Sequence, residues 1–133
     1  MKISSKGRYA VRVLAELGKQ NKRLSVADLA KLQGITVKYL EQIISLLLKH
    51  NLIESSRGQA GGYMLIKDPK DYTIAEILQA TDDLPKLAPC LAKNKECERY
   101  SVCKTIGYWE KLSKVIVDYL SSTTLEDIIN NKY

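Results

Sequence analysis

The chain has 133 residues, 45% of them apolar and 27% charged, and carries a formal net charge of +6. That length suits one domain, or a small domain with an appended arm, and no run of about 18 apolar residues is present to span a membrane as a helix. The opening stretch MKISSKGRYAVRVLAEL places Arg8 and Arg12 where a secretory signal needs an uninterrupted apolar core, so the expectation is a cytoplasmic protein without a membrane partner.

The charge is unevenly placed. Residues 1–67 hold 12 Lys or Arg against 4 Asp or Glu, a net +8, whereas residues 68–133 hold 9 against 11, a net −2. A basic half of this size matches the electrostatic footprint of a phosphate-binding surface. A generally solvated basic surface accounts for the same charge, so the choice falls to the elements themselves.

Ser4 and Ser5 are candidate caps for a first helix, in which Ala10, Val13, Leu14 and Leu17 follow the i, i+3, i+4, i+7 spacing of one buried stripe and Gly18 is the expected stop. Lys6, Arg8 and Arg12 lie off that stripe near the helix start, where free N–H groups and cations suit a phosphate; plain exposure to solvent is the other reading of each. A polar turn over residues 19–23 leads to Ser25 and Asp28, a capping-box variant, and to a short helix with Val26, Leu29 and Ala30 inward, ending at Gly34. Thr36 then caps a third helix running to about His50. The link Gly34-Ile35-Thr36 is short enough for a helix-turn-helix.

The third helix divides into two faces. Leu40, Ile43, Leu47 and Leu48 form a core stripe, and Lys38, Glu41, Gln42, Ser45 and Lys49 gather on the opposite side. In a recognition helix Lys38 reaches a phosphate or guanine edge, Gln42 pairs with adenine, and Glu41 accepts from cytosine N4. An ordinary amphipathic surface helix has the same pattern, and the short preceding turn favours the recognition helix. His50, the only histidine, reads as a helix cap or phosphate contact.

Leu52–Ser56 and Tyr63–Ile66 read as two strands joined by Arg57-Gly58-Gln59-Ala60-Gly61-Gly62, a hairpin that turns the helix-turn-helix into a winged helix. Arg57, at the base of the wing, is a candidate for minor-groove entry; a phosphate contact or no contact is the alternative. Thr73 and Glu76 form an expected capping box for a helix with Ile74, Ile77 and Leu78 inward, closed by Asp82, Asp83 and Pro85.

The segment PCLAKNKECERYSVC carries all three cysteines, Cys90, Cys97 and Cys103. An odd, clustered set in a reducing compartment points to metal ligation or redox chemistry more than to a disulfide framework. Beyond it a long helix is expected from about Glu98 to Leu120. Its narrow apolar seam includes Trp109, Leu112, Ile116 and Tyr119 and wants a partner helix, most simply the same helix of a second chain; an intrachain core helix is the other reading. Thr123 and Glu126 are the expected capping box of a last short helix with Leu125, Ile128 and Ile129. The predicted fold class is therefore mainly α with a small β-hairpin: a winged-helix unit over residues 1–81, a cysteine-containing loop over 82–104, and a dimerisation helix with a short C-terminal helix over 98–133.

MKISSKGRYAV, ITVKYLEQI, SSRGQAGGYML, the three-cysteine segment and TLEDII together resemble the IscR-, NsrR- and CymR-type winged-helix regulators over nearly the whole chain. The resemblance implies a homodimeric, non-enzymatic transcriptional regulator, most often a repressor, that binds near-palindromic double-stranded DNA. It places Glu41 and Gln42 on base-reading positions, Lys38 beside them, Arg57 on a minor-groove arginine, and Cys90, Cys97 and Cys103 on the ligands of an iron–sulfur cluster. Two departures stand out. Six residues separate Cys90 from Cys97 where IscR-like members have five. The fourth-ligand positions of IscR-like and NsrR-like members hold Ile106 and Arg8, neither of which binds iron. Glu96, Glu98, a carboxylate of a second chain or a small exogenous molecule are the remaining candidates.

Thiolates near a helix start have lowered pKa values, and three of them with one open position suit a 2Fe–2S or a 4Fe–4S cluster; the resemblance favours the first. Structural zinc and metal-free thiol sensing of sulfur metabolism compete for the same residues. From another class, an electron carrier or cluster-assembly factor would use the cysteines but need neither a wing nor a basic half. No nucleophile–base constellation is present to suggest an enzyme.

Overall fold

The structure, a computed structural model, describes residues 2–91 and 97–133, so that Glu96 falls outside the described residues. Helix α1 spans Ser5–Gln20, α2 Val26–Gln33 and α3 Val37–Lys49; strands β1 (Ile53–Ser56) and β2 (Gly62–Leu65) follow, then α4 (Ile74–Ala80), α5 (Ile106–Ser122) and α6 (Leu125–Ile129). Single 3-10 turns occupy Pro69–Asp71, Pro89–Leu91 and Tyr100–Val102. The predicted class, a mainly helical chain with one antiparallel hairpin, is the observed one.

Each of the first three helices opens on a hydroxyl that takes a backbone N–H left over by the first turn. Ser4 accepts from Gly7, Ser25 from Asp28 and Thr36 from Tyr39. The stripe Ala10, Val13, Leu14 and Leu17 of α1 is buried against Leu29 of α2 and Leu40, Ile43, Ile44 and Leu47 of α3. Ile44 takes a core place for which Leu48, only half-buried, was expected.

Gly18 does not end α1, which continues to Gln20 and stops where Asn21 turns left-handed at φ 48°. The reason for glycine is proximity: a Cβ at position 18 would stand 2.8 Å from Ile129 Cδ1 of α6. The C-terminal helix thus packs directly on α1, with Leu125 fully buried in the same core. Its capping box is Thr124 with Asp127, one residue later than the expected Thr123 and Glu126. Thr124 N–H donates to Asp127 Oδ2 at 2.9 Å, and Asp127 N–H donates to Thr124 Oγ1 at 3.1 Å. Thr123 is occupied otherwise, its carbonyl accepting from Ile74 N–H at 3.0 Å.

The wing pairs Ile53 with Leu65 and Ser56 with Gly62. It is anchored to the head by two reciprocal bonds between Leu24 and Tyr63, 3.0 and 2.8 Å long. The expected capping box of α4 is half made. Thr73 accepts from Glu76 N–H, but the Glu76 carboxylate turns away to Lys67 Nζ at 2.9 and 3.0 Å.

Beneath this sits Tyr72, wholly buried. Its hydroxyl donates to the Leu52 carbonyl at 2.7 Å and accepts from the N–H groups of Ile66 and Lys67 at 2.9 and 3.0 Å. Its backbone carbonyl accepts from Leu125 N–H at 3.0 Å. One residue therefore joins the end of α3, the return strand of the wing and the C-terminal helix. Replacing Tyr72 with Phe keeps the packing but strands the buried Leu52 carbonyl and removes the acceptor of two partly buried N–H groups, and is expected to cost about 1–3 kcal/mol in denaturant unfolding with the helical spectrum unchanged. A loss below about 0.5 kcal/mol would show that the hydroxyl is dispensable.

Candidate nucleic-acid interface and cysteine segment

The polar face of α3 is exposed along its length: Lys38, Glu41, Gln42, Ser45 and Lys49 all face solvent. Lys38, Glu41, Gln42 and Ser45 line one shallow open groove, whose far wall is Lys6 from the first turn of α1. Lys49 lies at the C-terminal end of α3 beyond this groove, and Arg57 is exposed on the wing. Arg8 is also exposed, with its guanidinium donating to Ser5 Oγ at 3.2 Å. His50 caps α3, its Nδ1 lying 2.9 Å from the Leu46 carbonyl oxygen.

Arg12 does not belong to this groove. Its Nε donates to Gln33 Oε1 at 3.0 Å and its Nη2 to the Gln33 carbonyl at 2.9 Å, while the guanidinium stacks over the Tyr9 ring at 4.7 Å. The Tyr9 ring meets Tyr39 of α3 edge-on, with centroids 5.9 Å apart.

The link between the groove and the cysteine segment is Asp83, which sequence reasoning passed over as a helix terminator. Asp82 adopts φ 56° after α4, and Asp83 N–H returns to the Leu78 carbonyl at 2.8 Å. The Asp83 carboxylate then accepts from Ser4 N–H at 2.8 Å and Ser4 Oγ–H at 2.7 Å, at 9% exposure. Ser4 is the cap of α1, so the start of the cysteine segment is pinned to the turn that carries Lys6. Gly7 makes room for this, since a Cβ there would stand 2.6 Å from Asp83 Oδ2. A glycine inside the first helical turn, costly for helix formation, was the one sequence signal of the approach. Burial alone pushes the Asp83 pKa up. The hydrogen bonds from the Ser4 hydroxyl and amide and from Thr81, with the nearby charge of Lys6, outweigh it and hold the carboxyl below its ordinary value.

Cys90 is half-buried in the Pro89–Leu91 turn, which packs against α5; Cys97 is exposed and Cys103 half-buried. The long helix begins at Ile106, not near Glu98, because the chain spends Tyr100–Val102 in a 3-10 turn whose Tyr100 hydroxyl donates to Glu110 Oε1. Cys97 is therefore not at a helix start, whereas Cys103 stands just before one. The Cys103 sulfur lies 3.3 Å from Thr105 Oγ1. Hydrogen bonding to the Thr105 side chain, then to the Thr105 amide, lowers its thiol pKa; burial opposes this weakly, and Ile106 N–H and Arg99 assist. Ile106 and Arg8, as the sequence indicated, offer iron nothing, and Glu98 is exposed. Soft thiol donors on both flanks of one segment fit a thiolate-bound metal or cluster in chemistry. Among the described residues no three His, Cys, Asp or Glu side chains are gathered closely enough to hold a metal ion.

A helix-turn-helix with a wing and a basic, polar outer face defines a winged-helix transcriptional regulator, a non-enzyme class. The comparisons with known proteins agree. A family model described as Rrf2, iron-dependent transcriptional regulator, matches residues 3–131, and the chain belongs to that family. It is 38% identical over 134 residues to the HTH-type transcriptional regulator IscR of Photorhabdus laumondii, covering 99% of this chain and 81% of that one. Among solved structures it is similar to CymR, the global cysteine regulator of B. subtilis, with a TM-score of 0.80 at 29% identity and 98% of each chain covered. It is also similar to IscR of T. potens, with a TM-score of 0.75 at 30% identity, covering 100% of this chain and 89% of that one.

Asp83 supplies a pH signature. Its folded pKa is depressed, so its contribution to stability is complete above the unfolded carboxylate range and is lost as pH falls through the folded value. Wild type is expected to exceed Asp83→Asn in stability at pH 6, and the gap is expected to close below about pH 4. Urea titrations of both proteins across that range check it; a gap constant down to pH 2.5 would contradict the assignment.

Proposed function

We propose that this regulator reads a near-palindromic DNA site as a homodimer and that an iron–sulfur cluster held by Cys90, Cys97 and Cys103 controls its DNA binding. The observation that carries the DNA half of the reading is the single groove in which Lys6 faces Lys38, Glu41, Gln42 and Ser45. Gln42 and Glu41 are the base-reading groups, Lys6 and Lys38 the phosphate or guanine contacts, and Lys49 and Arg8 flanking phosphate contacts. Arg57 enters the minor groove from the wing. A carboxylate near phosphates is tolerated only with a compensating base contact. Glu41→Ala is therefore expected to relax sequence preference more than it weakens total binding. Affinities for a selected site and for random duplex at stated salt decide it, and equal losses on both would argue against base reading.

Two chains would pair through α5. None of its residues is buried, and Tyr108, Val115 and Tyr119 are 63%, 57% and 57% exposed. The expected set Trp109, Leu112, Ile116 and Tyr119 lies on this helix, Leu112 and Ile116 half-buried and Trp109 in edge contact with Tyr108. Such an apolar face on a long helix is the usual material of a helix–helix interface, and two-fold pairing places two reading heads on successive turns of DNA.

When bound, an iron–sulfur cluster supplies sensitivity to oxygen, nitric oxide or iron supply, and the match to an iron-dependent family supports this chemistry. A 2Fe–2S cluster suits the IscR-like relatives, and a 4Fe–4S cluster suits the same three thiols. The fourth ligand would be Glu96, Glu98, a carboxylate of the second chain or a small exogenous molecule. Cys90, Cys97 and Cys103 would hold the cluster, and the bonds of Asp83 to Ser4 would couple their segment to the turn that carries Lys6. A coupling of about 1–3 kcal/mol would change DNA affinity roughly 5–150-fold. With no membrane-crossing helix among the described residues, the reading places the protein in the cytoplasm, as a repressor of genes for cluster assembly or for redox and iron responses.

Cys97→Ala is expected to lose iron and sulfide after anaerobic purification while keeping its helical spectrum and a sedimentation mass twice the 15.0 kDa of the chain. Stoichiometric iron in the variant would overturn the ligand set, and a 15.0 kDa species would overturn the dimer. The similarity to CymR favours a second reading, a metal-free thiol sensor of cysteine metabolism. It predicts colourless, metal-free wild-type protein whose DNA binding still responds to oxidant.

A further inference from the structure

We infer that Arg12 is a positioning residue for sequence reading: its guanidinium sets the angle at which α3 leaves the helix-turn-helix, and it makes no contact with DNA. The inference rests on the reading of α3 as the recognition helix and adds a residue outside the groove to it.

The turn between α2 and α3 poses a satisfaction problem. The last carbonyls of a helix have no partner within it. At the end of α2, Gly34 turns left-handed at φ 64°, Gly34 N–H donates to the Lys31 carbonyl and Ile35 N–H to the Ala30 carbonyl. The Gln33 carbonyl is met instead by Arg12 Nη2 from α1, and the Gln33 side chain, only 8% exposed, has its amide oxygen met by Arg12 Nε. A planar guanidinium serves both acceptors at fixed separation, which an ammonium cannot. Its positive charge also lies at the C-terminal end of α2, where the helix dipole favours it.

The same guanidinium lies over the Tyr9 ring, and Tyr9 meets Tyr39 in the first turn of α3. Arg12 thereby holds the entry to the turn directly, at Gln33, and is linked to its exit at Tyr39 through Tyr9. Base contacts by Glu41 and Gln42 require the helix to be placed within about half an ångström. Apolar packing of α2 and α3 on α1 fixes their approach, and the directional bonds of Arg12 add a fixed geometry at the turn itself. Arg12 also stands outside the α3 groove. It lines a hollow with Val11, Glu16 and Ile128 between α1 and α6, while Lys6 is the α1 cation that shares a groove with α3.

The test separates positioning from charge. A DNA site is selected from a random-sequence pool with wild-type protein, and affinities for that site and for a shuffled duplex are measured over a range of salt. Arg12→Ala and Arg12→Lys are both expected to reduce the ratio of selected to shuffled affinity about ten-fold, the order of one misplaced base contact. Both are expected to leave the slope of log affinity against log salt at its wild-type value. Gln33→Ala is expected to act in the same direction, and Gln33→Glu, which retains an acceptor for Nε, to keep the wild-type ratio. These two carry the test should Arg12→Ala fail to fold. A slope reduced by about one in Arg12→Ala and restored in Arg12→Lys would make Arg12 a phosphate contact and overturn the inference. So would wild-type ratios in all variants. A pool from which wild type enriches nothing removes the recognition-helix reading and this inference with it; enrichment that the variants share unchanged removes the inference alone.

Discussion

The carboxylate of Asp83 is the point on which the arrangement turns. It accepts two hydrogen bonds from Ser4, a residue 79 positions earlier, and so closes the winged-helix head on itself just before the cysteine segment begins. Without that contact the first turn of α1 and the exit from α4 would meet only through apolar packing, which resists separation but tolerates sliding. A buried carboxylate with directional bonds tolerates neither, because a displaced partner leaves a poorly solvated charge behind. Gly7 shows how closely the two elements are drawn together. Lys6, near Asp83 and on the wall of the α3 groove, stands where the head's internal electrostatics meet its outer surface.

The basic half divides its cations by task. Arg12 is bound to Gln33, Arg23 to Glu54 and Lys67 to Glu76 and the Tyr72 ring, each joining two elements of the head. Lys38, Lys49 and Arg57 stand exposed on α3 and the wing, with Lys6 half-exposed beside them. Net charge alone does not make this distinction, since a cation committed to an internal acceptor contributes to the long-range field but not to a contact with phosphate. The cationic surface of α3 and the wing that is free of partners among the described residues is thus smaller than the charge count of residues 1–67 suggests.

The C-terminal part has two tasks as well. Helix α6 returns to the head and buries Leu125 against the core, while α5 presents its aromatic and aliphatic side chains to solvent. Helix α5 packs on α4 and on the Pro89–Leu91 turn, and α6, which follows it, packs on α1. The chain belongs to a family described as iron-dependent regulators and is similar to a structure described as a global cysteine regulator.

Much of the head was legible from the residues in order. The caps Ser4, Ser25 and Thr36, the stripe of α1, the short helix-turn-helix link and the strand–glycine–strand pattern of the wing are local features, decided within a few residues by helix and strand periodicity. The polar face of α3 was legible for the same reason. Where local signals competed, the reading slipped. Gly18 looked like a stop but serves α6; Glu76 looked like a capping partner but binds Lys67; Thr123 looked like a cap but supplies a carbonyl to Ile74. What the amino-acid order determined by itself was the kind of elements, their sequence and the chemistry exposed on them. Only the tertiary structure decided that Asp83 would reach Ser4, that Tyr72 would take three backbone partners, and that Arg12 would be spent on a turn. Those pairings depend on the rotation of whole helices about one another, which the packing of a shared core sets and no short window of residues encodes.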